Sequence, residues 1–299
     1  MNLLEKLKVH FILMRPFAVL GIIPPFLLGI ALSGDIKNID LIFQAFLVEV
    51  AVLFGCHYEN SYTDYLFKID TIETTKGKPY TSASAILPSG RASKREVLVS
   101  FVLLYGVAFA TSILWWLQGH FYLSIIVWLG ILISTSYNWF GKRKGLGEVF
   151  VFLTFGVLTV LYGYFSSGGS VVDVWKPLLV SIIPGILWKD FYTLDQYMDA
   201  KMDKSCGVIN LAIKMLELEF KPSRYVEFGY MLINNYHLFL ILIGVLPAIT
   251  YIAIISSLIY YANIMIVDKN IKKGIILSLT GCFSYVMLMV IALFYTKIA

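Results

Sequence analysis

The sequence predicts an all-α, polytopic membrane protein of about nine transmembrane helices. Three observations carry that prediction. Hydrophobic residues make up 59% of the 299 and charged residues only 14%, where a soluble domain of this size carries about 25% charged. Mean hydropathy is +0.78. The apolar residues also fall into runs of about twenty, the length at which a helix crosses a hydrocarbon core of about 30 Å.

The first span, about 10–32, follows the charged start MNLLEKLKVH and is too long for a signal-peptide core. The second, about 40–58, runs straight into the polar stretch ENSYTDYLFKID and a loop to about 95 rich in Ser, Thr, Gly and Pro. Spans at about 96–117 and 121–139 follow, then one at about 148–166 that opens on Glu148, an acid suited to a helix N-terminus. The sixth, about 174–192, runs into a second polar stretch, DQYMDAKMD. The apolar block 226–267 is about twice one span, and the Gly-x-x-Pro of IGVLPA divides it into 226–245 and 247–267. The last span is about 274–296. These form one transmembrane domain over residues 1–299, with no soluble second domain expected.

The net charge of +5 reads as membrane topology rather than as affinity for nucleic acid. With the N-terminus cytoplasmic, every one of the 24 Lys and Arg residues except Lys37, Lys176 and Lys297 falls on the cytoplasmic side, a strong positive-inside bias. Both polar stretches then lie at cytoplasmic helix ends of an integral protein of the cell membrane. Cys56, Cys206 and Cys282 are far apart and imply neither a disulfide framework nor a zinc site.

On a helix, residues four apart differ by about 40° around the axis. Asp195, Asp199 and Asp203 therefore share one face, and so do Asn60 and Asp64. Carboxylates on one face repel, and at a membrane boundary they are poorly solvated. A divalent cation compensates both effects, and carboxylate and amide oxygens suit Mg2+, which is usually held by one or two carboxylates plus substrate phosphates. A lone aspartate here would read as a solvated loop residue; two such clusters on one side of the membrane do not. The nearby cations Lys78, Arg91, Lys142 and Lys189 supply positive charge suited to a diphosphate, although each also serves orientation. Arg15 sits within the first span before Pro16, where an arginine marks a candidate site or snorkels to the interface.

These motifs resemble the UbiA superfamily of intramembrane prenyltransferases. The resemblance covers nearly the whole chain: RPFAVLGIIPPFLLGIAL in the first span, NSYTDYLFKID with LPSGRAS, YNWFGKRKGLGEVFVFLTFG, and DQYMDAKMDKSCGVINLAIK. GLGE and the spacing Asp64-x5-Asp70 lean toward the branch that prenylates 1,4-dihydroxy-2-naphthoate in menaquinone synthesis. The resemblance implies a UbiA-like bundle with its active site under cytoplasmic loops. It implies Mg2+-dependent transfer of a prenyl group from a polyprenyl diphosphate to an aromatic or quinol-precursor acceptor. By the same resemblance Asn60, Asp64, Asp70, Asp199 and Asp203 hold the metal and Lys142 meets the diphosphate, which the charge of Arg15, Lys78, Arg91 and Lys189 also suits. Asp64, Asp195 and Tyr137 serve the chemistry, with Asp195 as a candidate base and Tyr137 facing an allylic cation.

The chain departs from the family pattern in three places. Ser61 stands where an acid is usual. Asp70 lies about 240° round a helix from Asp64 and joins the site only if the helix has ended. The family's Tyr-x-x-x-Lys appears with Lys142 one residue late after Tyr137. Two other functions stay open at this stage. A terpene cyclase of the same fold would ionise a prenyl diphosphate without an acceptor. An ion-coupled transporter would instead place its acids near the bilayer midplane, on broken helices.

Overall fold

The computed structural model describes residues 2–34, 36–75 and 82–298. Among these every regular element is helical. The first expected span is two helices, α1 (Leu3–Met14) and α2 (Val19–Ser33), joined by a single turn at Pro16–Ala18. Arg15 breaks the run: it adopts a left-handed backbone with φ 50° and donates its N–H to the Ile12 carbonyl. Pro16 explains the break, because proline lacks an amide donor and disfavours helical geometry in the residue before it.

The next helix, α3 (Ile39–Leu66), is capped by the Asn38 side chain, which accepts from the Leu41 N–H at 3.0 Å. It extends past the expected boundary because the polar stretch continues on the same helix. α4 (Lys94–Leu117) starts on a capping box made by Ser93 and Glu96. Its outer face shows Val102, Leu103, Val107 and Leu114, as a lipid-facing helix does. α5 (Phe121–Ser136) passes into a π-helical turn at Tyr137–Gly141. α6 (Gly147–Val151) and α7 (Thr159–Ser166) are joined by a second π segment, Phe152–Leu158.

α8 (Trp175–Val180) leads into α9 (Ile182–Ser205), which carries the second polar stretch. The short α10 (Leu211–Glu217) follows, in a connection expected to be a loop. α11 (Pro222–Leu242) ends where Gly244, at φ 75°, and Pro247 were expected to divide the apolar block. A 3-10 segment at Ala248–Ser256, α12 (Ser257–Ile266) and α13 (Ile271–Ile298) complete the chain.

Eight helical stretches among the described residues are long and apolar enough to cross a membrane. The ninth expected span is α11, whose Asn234, Asn235 and His237 dilute its apolar character. His237 is satisfied inside the bundle, with its ring nitrogens 2.9 Å from the Tyr285 hydroxyl and 3.0 Å from that of Thr250.

Small residues set the packing. A Cβ on Gly29 would lie 2.0 Å from the Val160 carbonyl oxygen, and one on Gly163 would lie 2.0 Å from that of Phe26. Only glycine allows α2 and α7 to approach so closely. One end of the bundle gathers the N-terminus and the connections after α3, α5, α9 and α12. Lys6 pairs with Glu96 at 3.3 Å, Ile209 donates its N–H to the Arg143 carbonyl at 3.3 Å, and Ser223 donates its N–H to Asp268 at 2.9 Å. Lys37 lies at the opposite end, donating its N–H to the Ser167 carbonyl at 3.2 Å.

Candidate active site

At the first of these ends a cavity of about 310 Å³ opens between α2, α3, α5, α6 and α9. Its polar rim holds Arg15, Asn60, Tyr137, Lys142 and Asp195. The walls are apolar and aromatic, with Phe17, Phe150, Phe155, Trp188 and Phe191 among them.

Each rim group is placed by a local feature of its chain. The left-handed turn at Arg15 brings its guanidinium to the end of α3, where Nη2 donates to Asn60 Oδ1 at 3.5 Å. The Asn60 amide donates to Asn138 Oδ1 at 3.2 Å. Asn138 in turn donates to the Cys56 carbonyl at 3.2 Å and to Glu59 Oε2 at 3.1 Å. Glu59 is buried and also accepts from the Tyr105 hydroxyl and from Trp139 Nε1, both at 2.9 Å. A buried carboxylate with three donors is a rigid brace, and it fixes the helix turn that presents Asn60.

Asp64 lies one turn beyond Asn60. It is buried, and its Oδ2 accepts from Lys142 Nζ at 2.6 Å. Burial works against the Lys142 charge, but the Asp64 carboxylate outweighs it and holds the ammonium above lysine's ordinary range, with a smaller contribution from Asp70. The late position of Lys142 has a structural explanation. A π turn takes up one more residue than an α turn, and the Lys142 N–H donates to the Tyr137 carbonyl at 2.9 Å, five residues back. Tyr137 and Lys142 thus both line the cavity despite the extra residue. The Tyr137 hydroxyl donates to that of Tyr192 at 3.3 Å.

The condition on Asp70 is met. α3 ends at Leu66, Lys68 turns back through a left-handed backbone with φ 59°, and the Asp64 carbonyl accepts from both Ile69 and Asp70 N–H. Ile69 packs in one apolar cluster with Ala200, Val208 and Ala212. The segment carrying Asp64 and Asp70 therefore meets the segment carrying Asp199 and Asp203. On α9, Trp188, Tyr192 and Asp195 line the cavity at helical spacing. Asp199 continues that stripe one turn further out, where it is exposed, and Asp203 is buried near the end of the helix. Among the described residues no three His, Cys, Asp or Glu side chains group tightly enough to hold a metal alone. The donor set is oxygen-only, and it fits a cation that takes its remaining ligands from a phosphate.

Two expected diphosphate ligands lie elsewhere. Arg91 borders a separate recess with Lys6, Tyr65, Lys94 and Glu96, because the loop before α4 folds against α1. Lys189 pairs with Asp190 at 2.8 Å and lies 5.3 Å from the Tyr225 ring centroid. One residue past Trp188, it faces α11 instead of the cavity. Lys78 lies outside the described residues. Glu59 and Asn138 escaped the sequence reading because nothing local says that two polar residues about eighty positions apart will share a bond. Glu148, read as a helix-dipole acid, accepts from the Leu211 N–H at 2.8 Å and so anchors α10.

Comparisons with known proteins agree with this architecture. A family model described as the UbiA prenyltransferase family matches residues 22–278. A Drosophila melanogaster protein, UbiA prenyltransferase domain-containing protein 1 homolog, is 25% identical over 248 residues, covering 79% of this chain. The match spans 65% of that curated relative's length. Among solved structures, a UbiA homolog from Archaeoglobus fulgidus bound to GPP and Mg2+ aligns with a TM-score of 0.67 at 17% identity, over 97% of this chain and 100% of its own. The apo UbiA homolog from Aeropyrum pernix K1 gives 0.65 at 17% identity, covering 94% and 98% of the two chains. A digeranylgeranylglyceryl phosphate synthase structure gives 0.65 at 19% identity, covering 98% and 99%. With the family model spanning most of the sequence, the chain belongs to the UbiA prenyltransferase family.

Proposed function

We propose that this protein transfers a prenyl group from a polyprenyl diphosphate to an aromatic acceptor of the naphthoate or benzoate type, with Mg2+ as cofactor. The observation that carries this reading is one cavity that is cationic and oxygen-rich at its mouth and lined mainly by apolar and aromatic side chains behind it. That division matches a substrate with a charged head and a hydrocarbon tail.

Arg15 and Lys142 face the head, where they neutralise charge that grows as the diphosphate leaves. Asn60, Asp64 and Asp70 from one helix end, with Asp199 and Asp203 from the other, supply the oxygens that hold the metal. Bound there with the diphosphate, Mg2+ supplies Lewis-acid stabilisation of the leaving group. Asp64 also keeps Lys142 charged and aimed at the rim. The aromatic wall and the Tyr137–Tyr192 pair shield the allylic carbon from water and offer ring faces to the cation. The carbon–oxygen bond to diphosphate breaks as the acceptor ring carbon forms a carbon–carbon bond to the same allylic carbon. The displaced ring proton passes to Asp195, which lines the mouth.

Two features support the naphthoate branch: the GLGE stretch and the Asp64-x5-Asp70 spacing. On that reading the enzyme serves menaquinone biosynthesis in the cell membrane, with its active-site loops cytoplasmic. The position of both acidic segments at one end of the bundle is consistent with that orientation.

The test is purified protein with Mg2+, a set of prenyl diphosphates and a set of ring acceptors, read by mass spectrometry and by diphosphate release. Product with a naphthoate-type ring supports the proposal. Turnover without any acceptor would replace it with a cyclase, and absence of diphosphate release under every condition would leave the transporter.

A further inference from the structure

The far end of the cavity is not apolar. Glu49, Thr159 and Tyr162 all line it. Glu49 lies eleven residues before Asn60 on α3, about 16 Å deeper along the helix. Thr159 donates its hydroxyl to Glu49 Oε1. Glu49 Oε2 and the Tyr162 hydroxyl are both buried with no hydrogen-bond partner, and Tyr162 is only 3% exposed. A carboxyl near the middle of a membrane helix is expensive and marks a functional position by default. Between it and the mouth the lining is mostly carbon, with Val52, Leu53, Gly130, Ile133, Val151 and Phe155, beside the polar atoms of Cys56, His57, Ser134 and Thr154.

We infer that Glu49, Thr159 and Tyr162 form a polar floor that sets the length of prenyl tail the cavity accepts. The inference rests on the transferase reading above. A short tail ends against the mostly apolar stretch above the floor. A tail long enough to reach the floor presses carbon against Glu49 Oε2 and the Tyr162 hydroxyl. It also excludes any water that would otherwise satisfy them, and buried polar groups left unpaired are costly. The floor therefore discriminates against long tails without touching the reacting atoms. Glu49 and Tyr162 act as specificity-determining residues.

The experiment is competition between geranyl and geranylgeranyl diphosphate, with the acceptor that gives the fastest turnover. The long-to-short ratio of kcat/KM is measured for the parent, Glu49→Leu, Glu49→Gln and Tyr162→Phe. Glu49→Leu should raise the ratio about tenfold, and Tyr162→Phe should raise it by a smaller factor. Glu49→Gln keeps a polar floor and should leave the ratio within about twofold of the parent. Geranyl turnover should persist in all three, because the mouth is untouched. An unchanged ratio in both Glu49→Leu and Tyr162→Phe, with geranyl still turned over, overturns the inference while leaving the transferase reading intact. That outcome would mean tails leave sideways between helices before reaching the floor. If Glu49→Leu does not accumulate, Tyr162→Phe alone decides, since it removes one oxygen and keeps the ring packing against Phe26 and Trp115. A parent protein that consumes no prenyl diphosphate of any length overturns the transferase reading, and the inference with it.

Discussion

Asn60 and Asp64 sit inside the bundle, tied by side-chain bonds to Arg15, Asn138 and Lys142 and steadied by the buried Glu59. Asp195 and Asp199 belong to the same proposed site but are exposed, on a helix that runs on beyond its apolar part. The two motifs look alike as letters, with oxygen-bearing side chains four apart on a helix face: an amide and an acid in the first, acids in the second. Their surroundings differ in kind. The first is pre-organised by partners from two other segments, so changing it disturbs packing as well as chemistry. Asp195 and Asp199 in the second are exposed, where solvent screens their interactions, so changing them costs less stability. An active site built this way has one fixed wall and one presented wall.

The largest effect that would test this contrast comes from Asp64→Ala. It should abolish diphosphate release and also destabilise the protein by about 3–5 kcal/mol, the usual consequence of stranding one member of a buried ion pair. Asp199→Ala should abolish turnover equally while leaving the thermal midpoint nearly unchanged. Melting curves in detergent beside turnover assays check both, and equal destabilisation by the two variants would erase the distinction.

The double variant Asp64→Asn with Lys142→Gln sharpens the first half of the comparison. Its stability loss should fall short of the summed single losses by about 1–3 kcal/mol, as for residues in direct contact, although activity stays absent. Because the folded protein holds the Lys142 pKa above its unfolded value, its contribution is fully present below lysine's ordinary pKa. That contribution is lost only as pH rises through the raised one. Stability curves should therefore show no Lys142 step near neutral pH, and the single variant Lys142→Gln should lower them uniformly there.

Glu59→Gln is a subtler probe. It preserves shape but turns an amide N–H2 toward donors from Tyr105, Asn138 and Trp139, and should cost about 1–3 kcal/mol. A raised KM for the diphosphate with little change in kcat would show that the brace positions Asn60. The smallest effect is expected for Tyr137→Phe, which removes one hydroxyl contact to Tyr192 and should lower kcat by only about threefold. A much larger drop would give that hydroxyl a direct role in the reaction.

Membrane character, most helix positions and the two acidic faces were legible in the letters, since each depends on the length of an apolar run or on the helical period. The same was true of the break at Gly244 and Pro247. The kink at Arg15 was missed, although Pro16 was its signal, because the apolar pattern runs on across it. The mismatch between Tyr137 and Lys142 was visible but not interpretable. Only backbone geometry shows that a π turn absorbs the extra residue. That Arg91 and Lys189 lie off the main cavity was not legible, because positive charge at a membrane face reads the same whether it faces a substrate or orients a helix.

The sequence by itself determined that this chain crosses a membrane as helices and carries acids in two clusters at their ends. Those are local properties, written in runs of up to about twenty residues. Only the tertiary structure decided that the acidic segments of α3 and α9 meet, that Glu59 braces one of them, and that Glu49 and Tyr162 line the same cavity as Arg15 and Lys142. Such relations depend on the rotation and approach of helices distant in sequence. Contacts as fine as Gly29 against Val160 fix those rotations, and no local pattern reports them.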